Sequence, residues 1–144
     1  MNQAGNKAPW HLWLIGILAV LWNAIGAFDY AATQLQLEFY MSQFSTEQLE
    51  YFYGFPAWVV ACWAVAVWAS LLGSLALLLR KAFAAWLFGT AILGMIGTSI
   101  YNFFLTDGMA VMGEGAATFT AVIWVIALLL YFYAVAMVKR RVLQ

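Results

Sequence analysis

Charged side chains are scarce in this sequence: 8% of its 144 residues are Asp, Glu, Lys or Arg, against roughly 25% in a soluble domain. With 67% hydrophobic residues, too little polar surface exists to cover a core in water. Cysteine is limited to Cys62, which excludes an intrachain disulfide and any dithiol relay. Histidine is limited to His11. A bis-His haem needs two histidines and a zinc site three or four N, S or O ligands, so no cofactor or metal is expected. No Ser-His-Asp set, P-loop or Gly-rich dinucleotide fingerprint is present. Without paired carboxylates, metal ligands or a nucleophile beside a base, the chain reads as a non-enzymatic protein.

What is present is four long apolar runs, at about 11–28, 57–79, 82–105 and 116–138. At about 1.5 Å per residue, runs of roughly 18 to 24 residues cross a hydrocarbon core of about 30 Å. The charges between them sort by sign. Threading the runs back and forth puts Lys7, Arg80, Lys81, Lys139, Arg140 and Arg141 on one side, and Asp29, Glu38, Glu47, Glu50, Asp107 and Glu114 on the other. Lys and Arg near span ends are retained in the cytoplasm, so both termini are expected there and the 29–55 loop outside. The fold class is all-α: residues 1–144 form one transmembrane four-helix bundle with a short external helix between spans 1 and 2. The six basic residues are orientation signals with a secondary pull on anionic lipid, not a nucleic-acid patch. The first run exceeds the roughly 7–15 residues of a signal h-region, and Ala27-Phe28-Asp29 is no small-x-small cleavage site. It reads as a retained span.

The 29–55 loop carries one strong helix signature. Ser45 is placed to cap, Gln48 completes a capping box, Phe44 and Leu49 form a hydrophobic staple, and Gly54 with Pro56 stops the helix,. A helix over 46–53 follows, with Leu49, Phe52 and Tyr53 expected on the membrane surface and Glu47 and Glu50 in water. Residues 34–43 alternate like a strand, yet a lone strand has no partner, so they read as an extension of helix 1. The 106–115 link, with Asp107-Gly108, Gly113 and Gly115, has turn chemistry,.

Small and polar residues form stripes at helical spacing: Gly16, Ala19, Asn23 and Gly26 in span 1; Ala69, Gly73 and Ala76 in span 2; Thr90, Gly94, Thr98 and Asn102 in span 3. Small-xxx-small spacing lets backbones approach closely, so these stripes are expected to face one another. An unpartnered amide in hydrocarbon costs several kcal/mol, so Asn23 must face protein or a wet cavity. Two readings compete for it: interhelical glue, and a ligand-facing amide. Asp29 likewise reads as a solvated helix-end residue or as a functional acid. Asn23, Asp29, Thr98, Tyr101 and Asn102 all fall in the outer half of the bundle, and are the candidate lining of a small polar pocket. Asp107 reads as a turn residue, His11 as an interfacial ring and Cys62 as a small apolar residue. The Trp and Tyr residues near the span ends read as an interfacial belt, not as a ligand cage.

The segments Leu21-Trp22-Asn23-Ala24-Ile25-Gly26-Ala27-Phe28-Asp29-Tyr30, Tyr51-Phe52-Tyr53-Gly54-Phe55-Pro56-Ala57-Trp58 and Ile100-Tyr101-Asn102-Phe103 together resemble a group of short, four-span bacterial inner-membrane proteins of unknown function. Some members are labelled sugar transporters. The resemblance implies an inner-membrane location and carries no site residues with it. Two functions follow from the sequence. One is a small-molecule or lipid binder, or an accessory subunit of a larger membrane complex. The other is a small transporter; four helices enclose little space, so that reading calls for a homo-oligomer. Four-span multidrug carriers couple to protons through an acid deep in span 1, whereas the first acid here is Asp29, at its end.

Overall fold

A computed structural model describes residues 7–144. Its elements, in order, are α1 (Trp10–Gln34), α2 (Glu38–Met41), α3 (Thr46–Tyr53), α4 (Ala57–Leu78), α5 (Ala84–Ile100, continued by a π-helical turn at Tyr101–Leu105), α6 (Gly108–Met112) and α7 (Ala116–Lys139). Helices α1, α4, α5 with its π turn, and α7 are each long and apolar enough to cross a membrane. The chain is an all-α, multi-pass membrane protein. The polar residues before Lys7 lie outside the described residues.

Consecutive long helices run antiparallel, so the bundle has a basic end and an acidic end. The basic end holds the α4–α5 turn with Arg80 and Lys81 and the close of α7 with Lys139. Leu12, Leu77, Met137, Val142 and Leu143 are buried there in one cluster. The C-terminal tail is tied down by two bonds: the Arg80 Nε–H donates to the Val142 carbonyl and the Gln144 N–H to the Arg80 carbonyl, each at 3.0 Å. His11 is more than an interfacial ring. Its Nδ1 lies 2.6 Å from the Tyr133 hydroxyl and joins α1 to α7 at this end.

Close packing runs along one side of the bundle. The closest seam is α4 against α5, followed by α1 against α4 and α5 against α7, whereas α1 and α7 do not pack backbone to backbone in the same way. The seam depends on small residues. A Cβ at Gly94 would sit 2.5 Å from the Cys62 carbonyl oxygen and 2.9 Å from the Ala66 nitrogen, with no side chain to move aside. Ala69, Gly73, Ala76 and Gly94 are buried as expected for a small-residue interface,. Thr90 departs from its stripe. It is exposed, and its hydroxyl bonds back to the Trp86 carbonyl at 2.8 Å, the local alternative open to a threonine with no partner across a seam.

The loop differs from its expected course. Helix α1 extends beyond residue 28 to Gln34 but not through 43. It is closed by the Gln36 N–H on the Thr33 carbonyl (3.1 Å) and the Leu37 N–H on the Ala32 carbonyl (3.0 Å), with Gln36 in the left-handed region at φ 53°. This is a Schellman ending without glycine. The same pattern closes α4 at Arg80 and α7 at Arg141, both at φ 58°. The capping box of α3 is present, with the Ser45 hydroxyl accepting from the Gln48 N–H at 3.1 Å. Of the residues expected on the membrane surface, Phe52 instead lines a cavity inside the bundle, while Tyr53 is exposed. Helix α3 folds over the acidic end, where the Gln48 side chain donates to the Val111 (3.3 Å) and Met112 (3.2 Å) carbonyls of α6. Helix α6 is itself an addition to the link expected to be turn alone.

Candidate functional site

Because α1 and α7 stand apart, the acidic half of the bundle encloses a cavity of about 730 Å³. That lies within the roughly 300–1,000 Å³ of small-molecule sites. Its floor is Phe88 and Leu130, both buried in the core of the basic end. Its rim includes the exposed Glu114 and Gly115 ahead of α7. Ser70 on its wall lies 13 residues into α4, or about 20 Å from the acidic end of that helix. The cavity therefore passes the middle of the bundle.

Four of the five sequence-predicted residues line this space: Asn23, Asp29, Thr98 and Asn102. Tyr101 does not. Its ring packs against Tyr51, Phe55 and Trp58, with centroids 6.1, 5.5 and 5.9 Å away. The π-helical turn begins at Tyr101. Tyr101 itself keeps the α-helical bond to the Gly97 carbonyl, and its place four residues after Gly97 and seven after Gly94 puts it on the face turned to α4, about 100° round the helix from Asn102,. π turns recur at functional sites in helices.

The hydrogen bonds separate polar groups already satisfied from those still free. The Asn23 side-chain N–H donates to the Ser74 hydroxyl at 2.7 Å and the Ser70 carbonyl at 3.3 Å, which stitches α1 to α4. Both donors are thus engaged, while Asn23 Oδ1 has no partner among the described residues. Asn102 is engaged at both ends: one N–H donates to the Thr98 carbonyl at 2.9 Å and its oxygen accepts from the Tyr51 hydroxyl at 2.5 Å, which leaves its second N–H without a partner among the described residues. The Tyr51 oxygen also lies 2.8 Å from the Thr106 hydroxyl, which donates to the Tyr101 carbonyl at 2.9 Å. This knot fastens α3 to the π turn. Gly108 packs so closely against it that a Cβ there would lie 2.9 Å from Asn102 Oδ1. Thr98 bonds to the Met95 carbonyl at 3.0 Å, and the Ser99 hydroxyl accepts from Trp124 Nε1 at 3.0 Å, linking α5 to α7.

Asp29 accepts a hydrogen bond from the Tyr40 hydroxyl on one carboxylate oxygen. Among the described residues no buried side-chain N or O atom lacks a partner. The second carboxylate oxygen has no bond, so it is not fully buried; its residue lines the cavity. Burial, and then the adjoining Asp29 carboxylate, push the Tyr40 phenol above its ordinary range, which keeps it protonated as the donor,. Burial likewise raises the Tyr51 phenol, opposed in part by its bond with Thr106.

A roof of aromatic rings closes over the cavity. Tyr40, Phe44, Phe52 and Phe55 follow one another edge to face, with centroids 5.8, 5.1 and 6.4 Å apart, and Phe55 continues to Trp63 at 5.9 Å. All five rings line the cavity. Trp10, Trp58 and Phe104 are exposed on the outside of the bundle, whereas Phe52 belongs to the roof. Sequence reasoning also missed Tyr40, Tyr51 and Ser70. A capping box locates a helix without saying what it will cover, so only the fold-back of α2 and α3 brings the two tyrosines to the site. No group of three or more His, Cys, Asp or Glu that could hold a metal occurs among the described residues. The chain matches no family model, no curated protein and no solved structure.

Proposed function

We propose that this protein binds a small molecule or a single lipid in the acidic half of its bundle, without catalysing a reaction, either alone or as the binding subunit of a larger membrane complex. The observation that carries this reading is the cavity of about 730 Å³, with its free Asn23 and Asp29 oxygens. A bundle built only for packing has no use for such a space, because an unfilled void forfeits dispersion contacts along its whole lining. The location proposed is the bacterial inner membrane, as the resemblance implies. Both termini lie in the cytoplasm and the acidic end in the periplasm, as the separation of charges favours.

The depth of the cavity supports a second reading, a small oligomeric transporter. The space runs past the middle of the bundle and is closed at the basic end by Phe88, Leu130 and the His11–Tyr133 clasp, the form expected of an outward-open carrier. The two readings share the site and differ in whether the closed end opens.

Native mass spectrometry of protein released from a mild detergent tests the shared claim. The wild type is expected to carry one copurifying molecule per chain. Ala127→Phe, which places a ring in the cavity, should lose it, and the exposed Leu128→Ile should keep it. A bare wild-type mass, or an adduct indifferent to Ala127→Phe, refutes the reading. For orientation, a cytoplasm-active fluorescent reporter after Gln144 should glow and a periplasm-active phosphatase there should be silent.

A further inference from the structure

The lining of the cavity is unbalanced in charge. It contains two carboxylates, Asp29 within and Glu114 at the rim, and no lysine, arginine or histidine. Every one of the six basic residues belongs to the other end of the bundle. The free acceptors on α1 follow the same sign, whereas across the cavity Asn102 keeps one N–H unengaged among the described residues. Asn23 offers an acceptor only, because both its N–H groups are taken by Ser74 and Ser70. Asp29 offers its second oxygen, because Tyr40 takes the first. The approach is acidic as well, since Glu38, Glu47, Glu50 and Asp107 stand on the loops of the same end. Clefts lined by one sign of charge concentrate ligands of the opposite sign.

Most of the remaining lining is aromatic and aliphatic, and of its hydroxyls those of Thr33, Thr98 and Thr120 are spent on carbonyls of their own helices while Ser99 accepts from Trp124. An inorganic anion meets two carboxylates and no cationic side chain here. A bare metal ion needs several converging oxygens or nitrogens, and no such group is found among the described residues. A neutral sugar would bring many hydroxyls to a lining whose polar side chains are mostly bonded within the protein already, leaving several of them without partners,. An organic cation with an apolar body satisfies both parts of the lining at once. Its charge sits against the open oxygen of Asp29, beneath the rings of Tyr40 and Phe44, which are the sequential partners of that carboxylate in the roof. Aromatic faces attract such cations within about 6 Å of the ring centroid. Asn23 is six residues from Asp29 on α1, so about 9 Å further in. The apolar body of the ligand would extend that far, between Trp22 on α1 and Trp124 on α7, which both line the wall.

We propose that the ligand is a lipophilic organic cation, held by Asp29 at its charge and by the aromatic lining along its body. The proposal rests on the reading of the cavity as a binding site, and adds the chemical class of what it takes.

The test uses the full-length protein in an uncharged detergent and three phenyl-bearing probes: tetraphenylphosphonium, the isosteric anion tetraphenylborate, and neutral triphenylphosphine oxide. Binding is read by equilibrium dialysis and by quenching of tryptophan fluorescence, with Ala127→Phe as the measure of partition into the micelle. Tetraphenylphosphonium is expected to bind saturably at one site per chain, at least about tenfold more tightly than either other probe. Asp29→Asn should remove about tenfold of that preference while leaving triphenylphosphine oxide unchanged. Glu114→Gln, at the exposed rim, should act in the same direction and less strongly. It carries the variant arm should Asp29→Asn fail to fold, and the comparison of the three probes on the wild type needs no variant at all. Equal binding of all three probes, sensitive to Ala127→Phe and indifferent to Asp29→Asn and Glu114→Gln, overturns the cation while the cavity stands as a site. Binding of none of them above the Ala127→Phe level overturns the cation and removes the support for the site as well.

Discussion

The two ends of this bundle are built from the same four helices by opposite means. At the basic end, Leu12, Leu77, Met137, Val142 and Leu143 fill the space between helices, and the tail is sewn to the α4–α5 turn through Arg80. At the acidic end, α1 and α7 part, and neighbouring elements are joined by hydrogen bonds, Tyr51 to Asn102 and Ser99 to Trp124, under a lid of aromatic rings, with Asn23 to Ser74 at the inner limit of the gap. One end is filled and the other is framed. In a membrane, where lipid tails are as apolar as leucine, packing and not hydrophobic transfer holds helices together. A filled end can therefore carry the stability of the whole, which leaves a framed end free to hold something else.

If that division is right, the largest effects of mutation come from the filled end and from the seam leading away from it. Leu12→Ala removes a fully buried side chain and is expected to cost about 2–5 kcal/mol, read as a fall in the melting temperature of the detergent-solubilised protein. Gly94→Leu forces a side chain against the backbone of Cys62 and Ala66. Overpacking of that kind costs about 1–3 kcal/mol, and with backbone as the obstacle the upper part of that range is expected, with broadened size-exclusion profiles.

At the framed end the effects on stability should be smaller. Asn23→Ala deletes the two bonds to α4. Interhelical polar contacts in membranes average about 0.6 kcal/mol, so a modest loss of melting temperature should accompany loss of the copurifying molecule. A stability loss as large as that of Leu12→Ala would reassign Asn23 to structural glue. Tyr40→Phe is expected to have the smallest effect near neutrality. The phenol of Tyr40 holds its proton more firmly in the fold than in the unfolded chain, so its contribution is complete below about pH 10 and is lost as the pH rises further. Melting temperatures between pH 8 and 11 should fall more steeply for the wild type than for Tyr40→Phe; parallel curves would remove Tyr40 from the account.

The spans and the small-residue seam were legible in the sequence, whereas the filling of the basic end by Leu12, Leu77, Met137 and the tail, and the His11–Tyr133 bond, were not. Four apolar runs with charges sorted by sign can be threaded in only one way, and the small residues of Gly73 and Gly94 announce the seam. Asn23, Asp29, Thr98 and Asn102 were legible as lining because a polar group in an apolar run needs a reason to be there. Tyr101 was misplaced because it follows Gly94 and Gly97 at helical spacing on the face that meets α4, one residue round from Asn102, and neighbours in sequence do not share a face,. Tyr40, Tyr51 and Phe44 were missed because their place depends on how the loop folds back, which is a tertiary matter. Helix α7 gave no hint that Trp124 and Ala127 would line the cavity, since its apolar residues run all the way round and no stripe picks out a face.

The most direct test of the framed, water-accessible end is thiol labelling in a Cys62→Ala background with a charged, membrane-impermeant reagent. Thr98 lines the cavity, while Ile96, two residues away on the same helix, is exposed on the outer surface of the bundle at nearly the same depth, about 3 Å different. A thiol reacts as thiolate and needs water to form it. Thr98→Cys should therefore label from the acidic end and be protected by tetraphenylphosphonium, while Ile96→Cys, facing lipid, stays inert. If Thr98→Cys is as unreactive as Ile96→Cys, the acidic end is closed and dry, and the account of a ligand-holding cavity is wrong.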